Sequence, residues 1–151
     1  VRTIETGLAA QRKIGTQEDF PVFHEMLAET YGLMDQPLPA LQLIEEAIKI
    51  AEDTGLLYWY AEICRRKGEL LLQVSDDNRM VALACFEKAL ETANAQQTKS
   101  LQLRVAMSLV RHGFAEAGGV RSIDLLRNTL EAFTEGFDTP DLQQAIRLAA
   151  L

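Results

Sequence analysis

The residues of this chain whose side chains could do chemistry are few and scattered. Its two histidines are His24 and His112, and its two cysteines are Cys64 and Cys85. Neither histidine has a Cys or a second His at the short spacing of a zinc site. Each cysteine lies among apolar neighbours, which predicts buried, unpaired thiols. His24 falls in a packing pattern and is predicted to be structural. The sequence therefore predicts no metal and no cofactor.

A cluster of acids near the end of the chain, in FTEGFDTPDLQQA (133–145), is a candidate calcium loop. Its carboxylates are those of Glu135, Asp138 and Asp141. The loop lacks the alternating acids and the terminal bidentate Glu of an EF-hand. Calcium binding is therefore the disfavoured interpretation of this segment.

The same segment is better explained as the end of one helix and the start of the next. Gly136 suits the left-handed position just past a helix end, and Phe137 can fold back on the last turn. Thr139 is a good N-cap residue, and Pro140 suits the first helical position. We therefore expect a last helix that caps the end of the fold.

Motifs of catalysis and of nucleotide binding are missing from the sequence. There is no Gly-x-Ser-x-Gly, no phosphate-binding loop and no dinucleotide glycine pattern. Gly118-Gly119 is a lone glycine pair ahead of a helix, which indicates a turn. The sequence therefore predicts that this chain is not an enzyme.

Composition narrows the class further. The chain has 151 residues and a formal net charge of -7, with no basic excess of the kind that nucleic-acid modules show. No apolar run approaches the roughly 20 residues that span a bilayer. The expected protein is cytoplasmic, with no nucleic acid and no membrane among its partners. Because it starts at Val1 and ends on an apolar run, we expect a fragment of a longer chain.

Helical apolar spacing dominates the sequence, and no strand alternation is sustained. The predicted helices cover 2–14, 20–34, 38–54, 57–74, 79–96, 99–116 and 121–135, and a short last helix begins near Pro140.

Three second helices of consecutive helix pairs share a small-large-small pattern. It is formed by Ala40, Ile44 and Ala47, by Ala82, Phe86 and Ala89, and by Ser122, Leu126 and Thr129. In the first helices, Ala28 aligns with Gly68 and Met107. In that register Glu25 aligns with Arg65 and Arg104. Small residues let paired helices approach closely, so this repetition favours stacked helical hairpins. A plain helical bundle is the alternative.

This pattern resembles the tetratricopeptide repeat, although the period is near 40 residues and not 34. The resemblance implies an all-α right-handed superhelix of about three hairpins, with an N-terminal orphan helix and a C-terminal capping helix. The expected units are 20–55, 57–96 and 99–136, with the cap at 139–151. HEAT-like repeats have about this longer period and remain the structural alternative.

A more specific resemblance covers the chain from about residue 58 to its end. AEICRRKGELLL, ALACFEKALETA, SLQLRVAMSLVR and FTEGFDTPDLQQA follow each other in order. They are similar to the C-terminal repeat region of large bacterial signalling proteins. Those proteins carry an ATPase-like domain with a nucleotide cyclase or a winged-helix domain. The resemblance implies a regulatory interaction platform, with catalysis or DNA binding elsewhere in the parent.

In tetratricopeptide arrays the first helix of each pair lines the concave face, and this implies a set of partner-binding candidates. They are Glu25, Glu29, Glu62, Arg65, Glu69, Arg104, Ser108 and Arg111. The repeated pair Arg65 and Arg104 could clamp a partner's carboxylate. Equally, the two arginines could form structural ion pairs between neighbouring units, for example with Glu62 or Glu69.

The aromatic run Tyr58, Trp59 and Tyr60 supplies one more candidate. Three consecutive rings cannot all face one core, so at least one is expected to point outward or into a cleft. Trp59 is the ring that we assign to partner binding, because aromatic side chains often anchor interfaces.

These observations predict a non-catalytic interaction and regulatory module. Its expected partner is a protein or peptide segment, or the parent's own ATPase-like domain. Self-association, as a homodimer or a structural scaffold, is the alternative.

Overall fold

A computed structural model describes residues 19–150 and, ahead of them, Thr3, Thr6, Gly7 and Ala10. Those four early positions are helical, and the rest of the predicted first helix, 2–14, lies outside the described residues. Over its described part the protein is all-α, apart from one short strand pair. No helix in this part is long and apolar enough to cross a membrane.

Seven α-helices make up the described fold. They are α1 Phe20–Leu33, α2 Pro37–Thr54, α3 Tyr60–Val74, α4 Arg79–Ala95, α5 Lys99–Arg111, α6 Ser122–Glu131 and α7 Pro140–Ala149, with a short 3-10 turn at Asp76–Asn78. Proline occupies the first turn of α1, α2 and α7, where its missing N–H costs nothing. Gly55 ends α2 in the left-handed conformation, with φ +71°. The boundaries of α1, α2 and α4 agree with the sequence prediction within one residue.

The predicted helix over 99–116 is wrong at its end. Helix α5 stops at Arg111, and the strands β1 Glu116–Ala117 and β2 Val120–Arg121 then form an antiparallel hairpin. Gly118 and Gly119 are the two turn residues, both with positive φ, as the tight hairpin turn requires. The sequence prediction found the turn and missed the strands, because two-residue strands are too short to show alternation.

Two further boundaries differ from the prediction. Helix α3 begins at Tyr60 and not at 57, and α6 ends at Glu131 and not at 135.

Gly136 is left-handed as expected, but its carbonyl accepts from the Thr139 N–H (2.9 Å) and hydroxyl (2.7 Å). It therefore shapes the turn into α7. Phe137 is 44% exposed and does not fold back into the core.

The helices lie in two layers. Helices α1, α3, α5 and α7 form one layer, in which each packs against the next. In the other layer α2 packs against α1 and α3, α4 against α3 and α5, and α6 against α5 and α7. The first layer therefore presents one continuous face that the second layer does not cover.

The small-large-small positions hold the layers together. All nine of these residues are buried: Ala40, Ile44, Ala47, Ala82, Phe86, Ala89, Ser122, Leu126 and Thr129. Ala28, Gly68 and Met107 are buried opposite them. The sequence prediction of these positions is confirmed, since helices that pack closely need small residues at their crossing points.

Candidate functional site

The uncovered face of the first layer carries an open groove of about 590 Å³. Helix α3 forms its floor, with α1 on one side and α5 and α7 on the other. Most of the predicted candidates line it, namely Glu25, Glu29, Trp59, Glu62, Arg65, Arg104 and Arg111. Glu69 lines an adjoining depression of about 460 Å³ that shares Arg111, and Ser108 bonds to Glu69. The structure thus brings all nine candidates together.

Arg65 is the centre of the groove floor. It is 6% exposed and donates from Nε and Nη2 to the two carboxylate oxygens of Glu62, at 2.8 and 2.6 Å. Its Nη1 lies 2.7 Å from Glu69 Oε1 and donates to Ser108 Oγ at 3.1 Å. Burial lowers the pKa of Arg65, but the two carboxylates more than offset this and raise it. Both of its ion pairs are within α3, and only the Ser108 bond crosses to α5.

Arg66 joins α1 to α3, and the sequence analysis missed it. It donates from Nε to Glu25 Oε1 (3.0 Å), from Nη2 to Glu29 (2.5 Å) and from Nη1 to Glu69 Oε2 (3.2 Å). In the repeat alignment, the position after Glu25, Arg65 and Arg104 holds Met26 in α1, Arg66 in α3 and the buried Val105 in α5. Because this row does not repeat a charge, the repeat pattern gave no signal for Arg66.

Arg104 connects α5 to both neighbouring helices of its layer. Its Nε donates to Asp141 Oδ2 of α7 at 2.7 Å, and its Nη1 reaches Glu62 Oε1 of α3 at 3.4 Å. Glu62 Oε1 therefore lies between Arg65 and Arg104. The sequence analysis missed Asp141 as a groove residue, although it follows Arg104 by nearly the repeat spacing and continues the row of Glu25, Arg65 and Arg104.

The acids of the floor differ in pKa. Burial raises the pKa of Glu62 and of Glu69, but Arg65, with hydrogen bonds and charges from neighbouring groups, holds both below the ordinary value. Burial dominates at Glu25, and its pKa is raised despite the bond from Arg66. In this network of charged groups the ionised form is therefore favoured at Glu62 and Glu69 and is less favoured at Glu25, on the α1 edge.

This network predicts acid lability. A carboxyl group whose folded pKa is lowered stabilises the fold above its unfolded pKa, near 4.5, and loses that contribution as the pH falls further. Glu25, whose pKa is raised, changes the stability in the opposite direction as the pH falls, but Glu62 and Glu69 together outweigh it. We expect the urea midpoint to fall steadily below pH 4.5, as measured by circular dichroism between pH 3 and 7.

A Glu69→Gln variant provides the control for this pH dependence. Its urea midpoint is expected to be lower near neutrality and to change less between pH 4.5 and pH 3. If the urea midpoint of this variant falls as steeply below pH 4.5 as that of the natural protein, the role given to Glu69 is wrong.

The three consecutive aromatic residues each donate to a carboxylate of the preceding helix pair or of its N-cap residue Asp19. Tyr58 donates to Asp19 (3.2 Å), Trp59 Nε1 to Glu25 (3.4 Å) and Tyr60 to Glu52 (2.5 Å). Tyr60 is buried, Trp59 lines the groove and Tyr58 is 48% exposed. The expectation that at least one ring faces outward or into a cleft is confirmed.

Both histidines lie in packed surroundings, and His112 also lines the adjoining depression with Glu69 and Arg111. His24 is fully buried, with Nδ1 2.7 Å from Phe20 O and Nε2 3.2 Å from Glu46. His112 stacks on Phe86 with ring centroids 6.2 Å apart, and burial lowers its pKa. The prediction of a structural, packed His24 agrees with this geometry.

The two thiols differ in accessibility. Cys64 is buried, and burial raises its pKa to about 12, with the neighbouring Cys85 adding to the effect. Cys85 is only partly buried, which corrects the expectation that both are buried, and burial raises its pKa too. We expect a disulfide reagent at pH 8 to modify Cys85 slowly and Cys64 only after unfolding, because thiolates are the reactive species. Labelling a Cys85→Ser variant at increasing urea would show this, and fast reaction of Cys64 in native buffer would contradict it.

Comparison with known proteins gives a match to part of a much longer chain. The chain is 32% identical over 114 residues to an uncharacterized protein of Rhizobium meliloti (strain 1021). The matched segment is 76% of this chain but 10% of that protein, so the chain spans about a tenth of its relative's length. No protein-family profile and no solved structure matches the sequence.

The geometry limits what the groove offers to a ligand. Its floor groups bind one another, and in the described part of the chain no group of three or more His, Cys, Asp and Glu side chains could hold a metal ion. The groups still accessible are on the walls: Glu29 and Met26 from α1, Arg104 and Arg111 from α5, and Asp141 from α7. Contacts with an occupant therefore depend on the walls, above a floor whose charges are already paired.

Proposed function

We propose that this chain is a tetratricopeptide-like, non-catalytic interaction module that holds a protein segment in its groove. The observation that carries the proposal is the open groove along the first layer, where the nine predicted residues converge. The alternating two-layer packing and the repeated small residues support a superhelical hairpin array.

The parent of such a module is proposed to be a large multidomain signalling protein with a cyclase or a winged-helix domain. The support is the motif resemblance, together with the match to a tenth of a much longer relative. In this setting the segment comes either from a separate partner or from the parent's own ATPase-like domain.

A peptide library displayed on phage tests the proposal, because it samples many candidate partner segments at once. The folded chain is the bait, and Arg111→Glu is the test variant, because its side chain is 39% exposed at the groove wall. Lys88→Glu is the matched control, since Lys88 is 54% exposed on α4 in the other layer. Peptides that bind the natural chain and the control but lose affinity for Arg111→Glu support the proposal. No enrichment, or binding that ignores Arg111, would overturn it.

Self-association is a second candidate, favoured by one exposed apolar edge. The apolar residues at the α1–α2 and α3–α4 turns are Leu33, Met34, Leu38, Val74, Met80 and Val81. Gln73 joins the two turns, donating to Gly32 O (2.9 Å) and Asp35 Oδ1 (3.3 Å). Exposed apolar patches often mark interfaces. Light scattering over a concentration series tests this, and a strict monomer at the highest concentration would exclude it.

A further inference from the structure

We propose that the occupant of the groove is an α-helix that presents two acidic residues, seven positions apart, to the α5 wall. This inference rests on the proposed function and names the chemistry of the partner segment. It follows from the open donors on that wall, from their spacing and from the shape of the groove.

The α5 wall holds guanidinium groups with open donors. Arg104 uses Nε for Asp141 and Nη1 for Glu62, and Arg111 uses Nη1 for Glu69. Within residues 19–150 these are the hydrogen bonds that their guanidinium groups make, so Arg104 Nη2 and Arg111 Nε and Nη2 are open. The two side chains are 36% and 39% exposed. Arg111 can bind a carboxylate through Nε and Nη2 together, and Arg104 can donate to one from Nη2, which makes an acid the matching partner group for both.

The floor arginines do not compete for an incoming acid. Arg65 uses Nε, Nη1 and Nη2 in bonds to Glu62 and Ser108. Arg66 uses the same three nitrogens in bonds to Glu25, Glu69 and Glu29. Because the chain as a whole carries a net charge of -7, a strongly acidic segment would be repelled at a distance. An occupant with a few well-placed acids fits better than an acidic run.

The spacing of the two arginines selects a helix over an extended chain. Arg104 and Arg111 lie seven residues apart on one face of α5, which is about 10.5 Å along the helix axis. A second helix running beside α5 repeats that distance when its acids are also seven residues apart. In an extended strand, side chains on one face recur about every 7 Å, so the available separations are about 7 and 13 Å.

The open mouth of the groove can seat such a helix. Helices α1 and α5 both pack against α3. Packed helices have axes about 8–10 Å apart, so the axes of the two wall helices are separated by up to about 16–20 Å. A helix with its side chains is about 10–12 Å across, and half of that width belongs to each wall, so the gap between the walls is narrower than a whole helix. The occupant helix therefore lies over α3 at the mouth of the groove, with one flank on the exposed side chains of α5 and the other near Met26, which is 45% exposed on α1.

Designed helical peptides test the inference directly. The probe is a stapled, alanine-rich helix of about 17 residues, which spans about 25 Å of groove. One form carries Glu at i and i+7, a second carries the same two Glu at i and i+5, and a third carries Lys at i and i+7. A fourth, proline-rich peptide presents two Glu on an extended chain. Trp59 is the chain's single tryptophan and lines the groove, so its fluorescence reports binding.

The i, i+7 acidic helix is expected to bind more tightly than all three other probes. Arg111→Gln is expected to weaken it about five- to tenfold, as loss of a partly exposed charge-assisted contact would. Lys88→Gln on α4 is the control and should change nothing. Equal binding of the i, i+5 helix, tighter binding of the extended or basic probe, or insensitivity to Arg111 would each overturn the inference.

The experiments distinguish a failure of the inference about the acidic helix from a failure of the proposed function. If the i, i+7 acidic helix does not bind but the phage library still yields segments that require Arg111, the groove binds a partner of other chemistry. The inference about the helix is then wrong, and the proposed function stands. If neither the probes nor the library gives binding that depends on Arg111, both are wrong.

Discussion

Replacing Arg65 with methionine is expected to lower the free energy of unfolding by about 3–5 kcal/mol, the cost of breaking a buried ion pair. The pair with Glu62 is almost fully buried, with side chains 7% and 3% exposed. Removing Arg65 leaves Glu62 with only the longer, 3.4 Å contact to Arg104. It also takes one partner from Glu69. Urea unfolding, followed by circular dichroism at pH 7, measures the loss.

Two comparison variants identify the cause of that loss. Arg104→Met breaks a pair with Asp141 in which the two side chains are 36% and 40% exposed. It also removes the 3.4 Å contact to Glu62, which keeps Arg65 as a partner, so the cost should stay near 1 kcal/mol or below. The double variant Glu62→Gln with Arg65→Met should recover part of the stability, because no uncompensated carboxylate then remains at Glu62. If Arg65→Met costs no more than Arg104→Met, the floor network does not stabilise the fold.

Replacing Gly68 with alanine is expected to destabilise the protein by up to about 2 kcal/mol. An added Cβ would lie 2.7 Å from Cε1 and 2.9 Å from Cζ of Phe86. That ring is fully buried between His112 and Phe114, with centroids 6.2 and 5.7 Å away, and has little room to move. Overpacking of this kind costs about 1–3 kcal/mol, from which the better helix propensity of alanine subtracts about 1.

A second helical glycine supplies the matched control. A Cβ at Gly32 in α1 would meet Cδ2 of Leu70 at 3.0 Å, a milder contact with the end of an aliphatic side chain. Gly32→Ala should therefore cost less than Gly68→Ala and approach zero. Adding Phe86→Leu to Gly68→Ala should give a loss smaller than the sum of the two single changes. Strict additivity would show that the contact between Gly68 and Phe86 is unimportant.

Much of the candidate site could be predicted because helical periodicity fixes which residues share a face. Once Glu25, Arg65 and Arg104 were aligned, the residues one or two turns away had to lie beside them. This is why Glu29, Glu62, Glu69, Ser108 and Arg111 reach the groove or its edge. Arg66 lay outside that row. Its bonds to Glu25 and Glu29 depend on the position of α1 against α3, which a pattern within one helix does not contain.

The boundaries of the helices were predictable where a proline or a left-handed glycine marks them. Gly55 and the prolines of the first turns are such marks. The end of α5 and the strand pair β1–β2 were not, because the strands are two residues each. Gly118 N–H donates to Glu87 of α4 at 3.0 Å, so this hairpin is held partly by a helix distant in sequence.

The sequence by itself determined the helices, the small-large-small positions that are buried between them, and the face on which the candidate residues lie. These are local properties, set by a period of 3.6 residues and by side-chain size. Arg65 pairs with Glu62 and Glu69, three and four residues away in α3, so these contacts are local too. Only the tertiary structure decided which charges meet between helices, where Arg66 reaches α1 and Arg104 reaches Asp141 of α7. The reason is that an ion pair requires two atoms within about 4 Å, and the distance between helices is set by how their cores pack.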